Sequence, residues 1–168
     1  MIDIQLSPHF MLSELLASPT ATANGFTEQF EPTEQITSNL TALATNVLEP
    51  VRELIGMPLI VSSGYRCHRL NTHVGGEWNS QHLCEGGAAA ADIESPGLTV
   101  EELYDKIKAS SIPCDEVIIE TNNKGAWWVH VSYDSNKGTQ RGVCMKGVLQ
   151  QSGGTICQAD GYQAWVNS

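Results

Sequence analysis

Apolar residues at Ile36, Leu40, Leu43, Val47, Val51 and Leu54 recur at steps of three and four, which predicts one long amphipathic helix. Pro50 falls inside that stripe, and because the stripe continues past it a kink is expected there, not an end. Gly56 and Pro58 stop the helix, and Leu59-Ile60-Val61 opens a strand that runs on to Arg66. Ahead of it, residues 7–18 carry Phe10, Leu12, Leu15 and Leu16 on one side and predict a short helix. The Thr, Ala, Asn, Gly and Pro of residues 19–32 predict a surface loop. Residues 67–81 are polar and contain glycine, so a long loop carrying side chains into a site is expected. A strand follows near 88–93, and Thr99-Val100-Glu101-Glu102 has the capping-box pattern of a helix start. That helix reaches about Ser110, with Val100, Leu103 and Ile107 facing inward.

Val117-Ile118-Ile119, a turn at Asn122-Asn123-Lys124-Gly125 and the run Trp127–Tyr133 then predict an antiparallel hairpin. Residues 142–149 and 154–166 predict a second one around Gln151-Ser152-Gly153-Gly154. The sum is an α+β fold, a small antiparallel sheet with helices packed on one face.

With 168 residues the chain is long enough for one domain with its own core. Nine basic against nineteen acidic residues give a net charge of -10, which argues against nucleic acid and anionic membrane surfaces as partners. No run approaches the roughly 20 apolar residues of a membrane span. The start Met1-Ile2-Asp3-Ile4-Gln5-Leu6-Ser7 has neither the basic beginning nor the apolar run of a signal peptide. Export is therefore expected to follow cell lysis or packaging into a particle, placing the chain in a host cytoplasm before lysis or on a virion. Five cysteines at irregular spacing form no disulfide framework, and reduced thiols are expected.

The strand Trp127–Tyr133 holds a histidine at its middle. Alternation turns Val129 and Val131 to one side and Trp128, His130 and Ser132 to the other. An imidazole on a mostly apolar surface needs a hydrogen bond or a metal. A satisfied core histidine answers the first need. Ser80-Gln81-His82 and Ala90-Ala91-Asp92-Ile93 suggest the second, since His82, Asp92 and His130 together supply the three protein ligands of an open zinc site.

Ser63-Gly64-Tyr65-Arg66, Ser80-Gln81-His82, Ala90-Ala91-Asp92-Ile93 and Trp128-Val129-His130-Val131-Ser132 give the chain a family likeness. It resembles the zinc peptidases of the D-Ala-D-Ala carboxypeptidase type, which include phage members and share their fold with D,D-dipeptidases and the hedgehog signalling domain. Leu6-Ser7-Pro8-His9-Phe10 and Val47-Leu48-Glu49-Pro50-Val51-Arg52-Glu53 match the phage and bacterial branch. The likeness covers residues 5–135, which suggests a peptidase-like domain over 1–135 and a C-terminal extension over 136–168, a hairpin packed on the same domain. By this resemblance His82, Asp92 and His130 hold Zn2+, and Arg66 steadies the substrate carbonyl or tetrahedral intermediate. Ser80, Gln81, Arg66 and Trp128 line the substrate side, and the substrate is a peptide bond in peptidoglycan stem peptides.

Two departures accompany the likeness. The family pattern SxHxxGxAxD spaces its histidine and aspartate by seven, whereas His82 and Asp92 are ten apart. The segment 84–89, with two glycines followed by alanines, is expected to be a mobile loop at the mouth of the site. Many relatives also place an acidic base three residues before the last histidine, where this chain has Trp127. Glu120, returned beside His130 by the hairpin, is the candidate base; a rim carboxylate paired with Lys124 is its plainer reading, and Glu85 is a third candidate. Arg66 has an alternative role anchoring its loop through a carboxylate. Cys67 and Cys84 are inert thiols, a pair, or part of another metal set; Trp127 and Trp128 stack on substrate or pack the strand. Two functions follow: a zinc-dependent cell-wall peptidase of phage origin, an endolysin or an agent of host penetration, and a non-catalytic virion or tail module that keeps the fold. The strong acidity favours the second, because anionic walls attract cations.

Overall fold

A computed structural model describes residues 3–122, 125–149 and 155–159. The chain opens with a two-strand ribbon, β1 (Gln5–Ser7) and β2 (Phe10–Met11), which runs straight into α1 (Leu12–Leu16). The single helix expected over 7–18 is therefore shorter and preceded by the ribbon. Residues 19–32 form no plain loop. Ser18 caps α2 (Pro19–Asn24) by accepting from Ala21 N at 3.1 Å, and a 3₁₀ turn covers Thr27–Phe30. The Ser18 cap, Pro19 in the first turn and left-handed Gly25 just past the end are local signals of α2 that the loop reading missed, and tertiary contacts hold both elements in place. Ala21 is fully buried, and the buried Gln29 amide donates to the carbonyls of Leu16 (3.0 Å) and Tyr65 (2.7 Å).

The long apolar stripe becomes α3 (Glu34–Leu43), a π turn (Ala44–Leu48) and α4 (Glu49–Ile55). Glu49 N reaches back five residues to Ala44 O, so one extra residue is accommodated just before Pro50. This π turn stands where the kink was expected, and it shifts the helical phase by one. Leu40, Leu43, Val47 and Val51 are fully buried as the stripe requires, but Leu54 is 45% exposed and Ile55 turns inward instead. The same turn directs Glu49 beneath the N-terminal ribbon, where its carboxylate accepts from Ser7 Oγ (2.8 Å) and His9 N (2.6 Å).

β3 (Ile60–Ser63) follows, and then α5 (His68–His73) occupies part of the stretch expected to be loop. Cys67 caps this helix through Sγ, which accepts from Leu70 N at 3.4 Å, and burial of Leu70 and Asn71 fixes it. The remaining elements are β4 (Ala88–Glu94), α6 (Val100–Lys108), β5 (Glu116–Thr121), β6 (Trp127–Asp134), β7 (Val143–Leu149) and β8 (Thr155–Ala159). The capping box at α6 is present in full: Thr99 Oγ1 accepts from Glu102 N and Glu102 Oε2 from Thr99 N.

The main sheet runs β3-β4-β6-β5-β7-β8 and is antiparallel except for the parallel pair β5 and β7. The fold is α+β, as the pattern requires. β7 and β8 pair antiparallel over residues 145–149 and 155–159, joining the last part of the chain to this sheet through β5. The expected turn at 151–154 and residues 160–166 lie outside the described residues.

Strand alternation divides the sheet into two faces. Ala89, Ala91, Ile93, Val117, Ile119, Val129 and Val131 enter the hydrophobic core. The intervening positions Asp92, Ile118 and His130 point to the other side.

Candidate metal centre

Asp92 and His130 are direct cross-strand partners on β4 and β6, and Ile118 of β5 lies opposite His130 on the other flank. Direct partners in an antiparallel pair have Cβ atoms about 4.5–5.5 Å apart, so pairing alone brings the carboxylate to the imidazole. His82 arrives differently, on a 3₁₀ turn (Gln81–Leu83) capped by Ser80 Oγ. Its Nδ1–H donates to Gly64 O at 2.6 Å, which leaves the Nε2 lone pair facing the other two side chains. Gly64 is needed there for a second reason, since a Cβ would lie 2.4 Å from Leu15 O.

The three side chains are buried, and their donor atoms form a nearly equilateral triangle. His82 Nε2, His130 Nδ1 and Asp92 Oδ1 stand 3.2 Å from one another. Tetrahedral ligands bonded at about 2.0–2.1 Å are about 3.3 Å apart, so the triangle has the size that zinc needs. Two imidazole nitrogens and a carboxylate oxygen converging in a buried space are the donor types that zinc takes. The donor set could hold a metal ion. Burial opposes charge on Asp92, but the adjacent His82 and His130 outweigh it and hold the carboxyl far below the usual range. His130 is shifted upward: burial opposes its charge, while the Asp92 hydrogen bond and the fields of Glu120, Asp92 and Glu116 favour it.

Asp92 uses its second oxygen to accept from Arg66 Nη2 at 2.7 Å, and Arg66 Nε donates to Ser63 Oγ at 3.1 Å. Arg66 Nη1 has no partner among the described residues. His82 and His130 line a cleft of about 680 Å3 whose walls also include Arg66, Ser80, Gln81, Glu120, Lys137 and Arg141. Glu120 lies opposite Trp128 in the β5–β6 register, and its Oε2 accepts from Trp128 Nε1 at 2.9 Å. Trp128 lines a neighbouring pocket that shares Arg66 with the cleft. Pairing of Glu120 with Lys124 falls outside the described residues.

The segment 84–89 differs from its expectation. Cys84, Gly86 and Gly87 take left-handed backbone (φ 55°, 59° and 91°), which reverses the chain within four residues, and Ala88 and Ala89 belong to β4. The turn is tied down: Asn39 Nδ2 donates to Cys84 O, and Ser135 N to Gly87 O. A side chain at Gly87 would collide with Asn136. The three extra residues are thus absorbed as a tight turn away from the cleft. Glu85 goes with it and pairs with His68 at 2.8 Å, so it does not reach the metal cluster. Cys67 and Cys84 form no disulfide, and burial pushes the Cys84 thiol up to about 12.

Nothing in the sequence pattern assigned a role to Asp115, Lys137 or Arg141. Asp115 is fully buried and accepts from Gln81 Nε2 (2.9 Å), Lys137 Nζ (3.0 Å) and Arg141 Nη2 (2.6 Å). A charge at the head of the apolar run Val117-Ile118-Ile119 was the available signal; its distant partners were not readable.

The Peptidase M15 family matches residues 8–132. This chain belongs to the Peptidase M15 family. No curated protein matches it. The matched span of this M15 chain holds His82, Asp92, His130, Arg66, Asp115 and Glu120, and ends before Lys137 and Arg141. Among the described residues no helix is long and apolar enough to cross a membrane.

Proposed function

We propose that this M15 peptidase is a zinc enzyme that hydrolyses peptide bonds in bacterial cell-wall stem peptides, and that it is of phage origin and acts in lysis or host penetration. The observation that carries the reading is the buried 3.2 Å triangle of His82, Asp92 and His130 at a cleft shared with Arg66 and Glu120.

His82, Asp92 and His130 would hold the ion. When bound, zinc supplies a Lewis acid that polarises the scissile carbonyl and makes water reactive near neutral pH. Arg66, fixed through Nε and Nη2, offers Nη1 to the oxygen on which charge develops, where a charge-assisted donor contributes most. Glu120 accepts a proton from the attacking water and returns one to the departing amine; Trp128 Nε1 holds its Oε2 and leaves Oε1 for that task. Ser80, Gln81 and Trp128 border the substrate.

Metal analysis of the purified protein together with digestion of muropeptides tests the reading. About one zinc per chain is expected, lost in His82→Ala and in His130→Ala, with new amino groups released from stem peptides. Stoichiometric zinc in both variants places the metal elsewhere. Bound zinc with no cleavage of any stem peptide supports the non-catalytic virion or tail module instead.

A further inference from the structure

Of the three residues in the triangle, His82 is the one not carried by a strand of the sheet. Its turn is three residues long and cannot hold itself in place. Gly64 O and Arg66 N tie it to the segment after β3, and Asn39 holds the adjoining Cys84 carbonyl. Among the described residues, besides the contact of His82 Nε2 with His130 Nδ1 inside the triangle itself, the tie toward the β5–β6 side is the hydrogen bond from Gln81 Nε2 to Asp115 Oδ2 at 2.9 Å.

Asp115 is built to make that bond stiff. Its own N–H donates to Ser132 O at 2.8 Å, and the next N–H, of Glu116, donates to Ser132 Oγ. Ser132 lies two residues beyond His130 on β6. One residue therefore touches the His130 strand through its backbone and the His82 turn through its side chain. The carboxylate is then clamped from the remaining directions by Lys137 Nζ and by Arg141 N, Nε and Nη2. A buried carboxylate with this many donors has one orientation, and so imposes one on Gln81. Gln81 Oε1 is buried with no partner of its own, so its amide is oriented by Asp115 rather than by competing bonds.

We propose that Asp115 is a positioning residue that sets the spacing of His82 from His130. The segment Lys137–Arg141, beyond the family match, is through Asp115 an integral part of the metal centre. The inference rests on the proposed zinc site for its ligand and on hydrogen bonds for its geometry.

The test uses the full chain with two measurements, zinc affinity by chelator competition and the ¹H–¹⁵N resonance of the His82 Nδ1–H in the zinc-free protein. Gln81→Leu cuts the link while leaving Asp115 with both cations, so the fold is kept. It is expected to weaken zinc 10–100-fold, the usual cost of losing a partner that orients ligands, and to broaden or shift the His82 resonance. Asp115→Asn is expected to do the same, and Arg141→Lys, which keeps a cation on Asp115, to lose less than Arg141→Gln. Zinc affinity and the His82 resonance both unchanged in Gln81→Leu and Asp115→Asn would overturn the proposal. A protein that binds no zinc, yet whose His82 resonance responds to Gln81→Leu, would uphold the positioning role and remove the zinc reading.

Discussion

Glu120 and Trp128 show how one residue pair divides between structure and chemistry. A glutamine at 120 can still accept from Trp128 Nε1, so the cross-strand contact and the metal triangle persist while the capacity to take a proton is lost. Glu120→Gln is therefore expected to retain zinc and fold and to lose roughly 10²-fold or more in kcat, measured on a purified stem peptide. Full activity would take Glu120 out of the reaction. His130 was legible only beside Ser80-Gln81-His82 and Ala90-Ala91-Asp92-Ile93, because a histidine inside an apolar, alternating run is by itself equally explained by a hydrogen bond in the core. Asp115 was not, because a carboxylate's worth depends on which donors surround it, and those come from residues 81, 137 and 141.

Among the elements, the strands obeyed their local pattern more closely than the long helix did. Period two separates core from cleft along β4 and β6 without exception in the central pairs, whereas the π turn displaced the helical stripe by one residue and exposed Leu54. Helix α6 also kept to its sequence signal. It packs Leu103, Tyr104 and Ile107 into the core and contributes nothing to the cleft, so its cap can be removed without touching the metal centre. Thr99→Ala is expected to cost about 1 kcal/mol and to lower Tm by about 2–4 °C, with zinc affinity unchanged. Calorimetry beside chelator competition checks both halves; a loss of zinc affinity would mean that α6 reaches the site.

At the scale of the whole molecule, with a net charge of -10, several buried carboxylates are held in their charged form by the donors around them. Burial alone would raise Asp115, but Arg141, Lys137 and Gln81 outweigh it and hold its pKa well below the ordinary carboxylate range. Burial likewise opposes charge on Glu49, and the His9 and Ser7 hydrogen bonds leave it lowered. A depressed folded pKa contributes stability in full above the unfolded value near ~4 and loses it as pH falls below that value. In the metal-free protein these carboxylates are thus expected to make a level contribution to Tm down to about pH 5 and to cost stability steeply below ~4, where the unfolded chain binds protons the folded one refuses. Asp115→Asn should lower the plateau and flatten the acid limb; an acid limb as steep as in the unmodified protein would show that Asp115 does not drive it.

The sequence by itself determined the α+β architecture, the hairpin of β5 with β6 and the two faces of β6, because these follow from period and turn chemistry within a few residues. The pairing that sets Asp92 against His130 joins strands 38 residues apart and was not among them. The cap of α6 and the family motifs were local in the same sense. Tertiary structure alone decided the rest. Whether three extra residues between His82 and Asp92 would loosen the site or fold away depended on Asn39, Ser135 and Asn136 being present to receive the turn. The clamp on Asp115 required residues 81, 115, 137 and 141 to meet in space. A buried charge is tolerated only when distant donors converge on it, and nothing in the spacing of residues along the chain records that convergence.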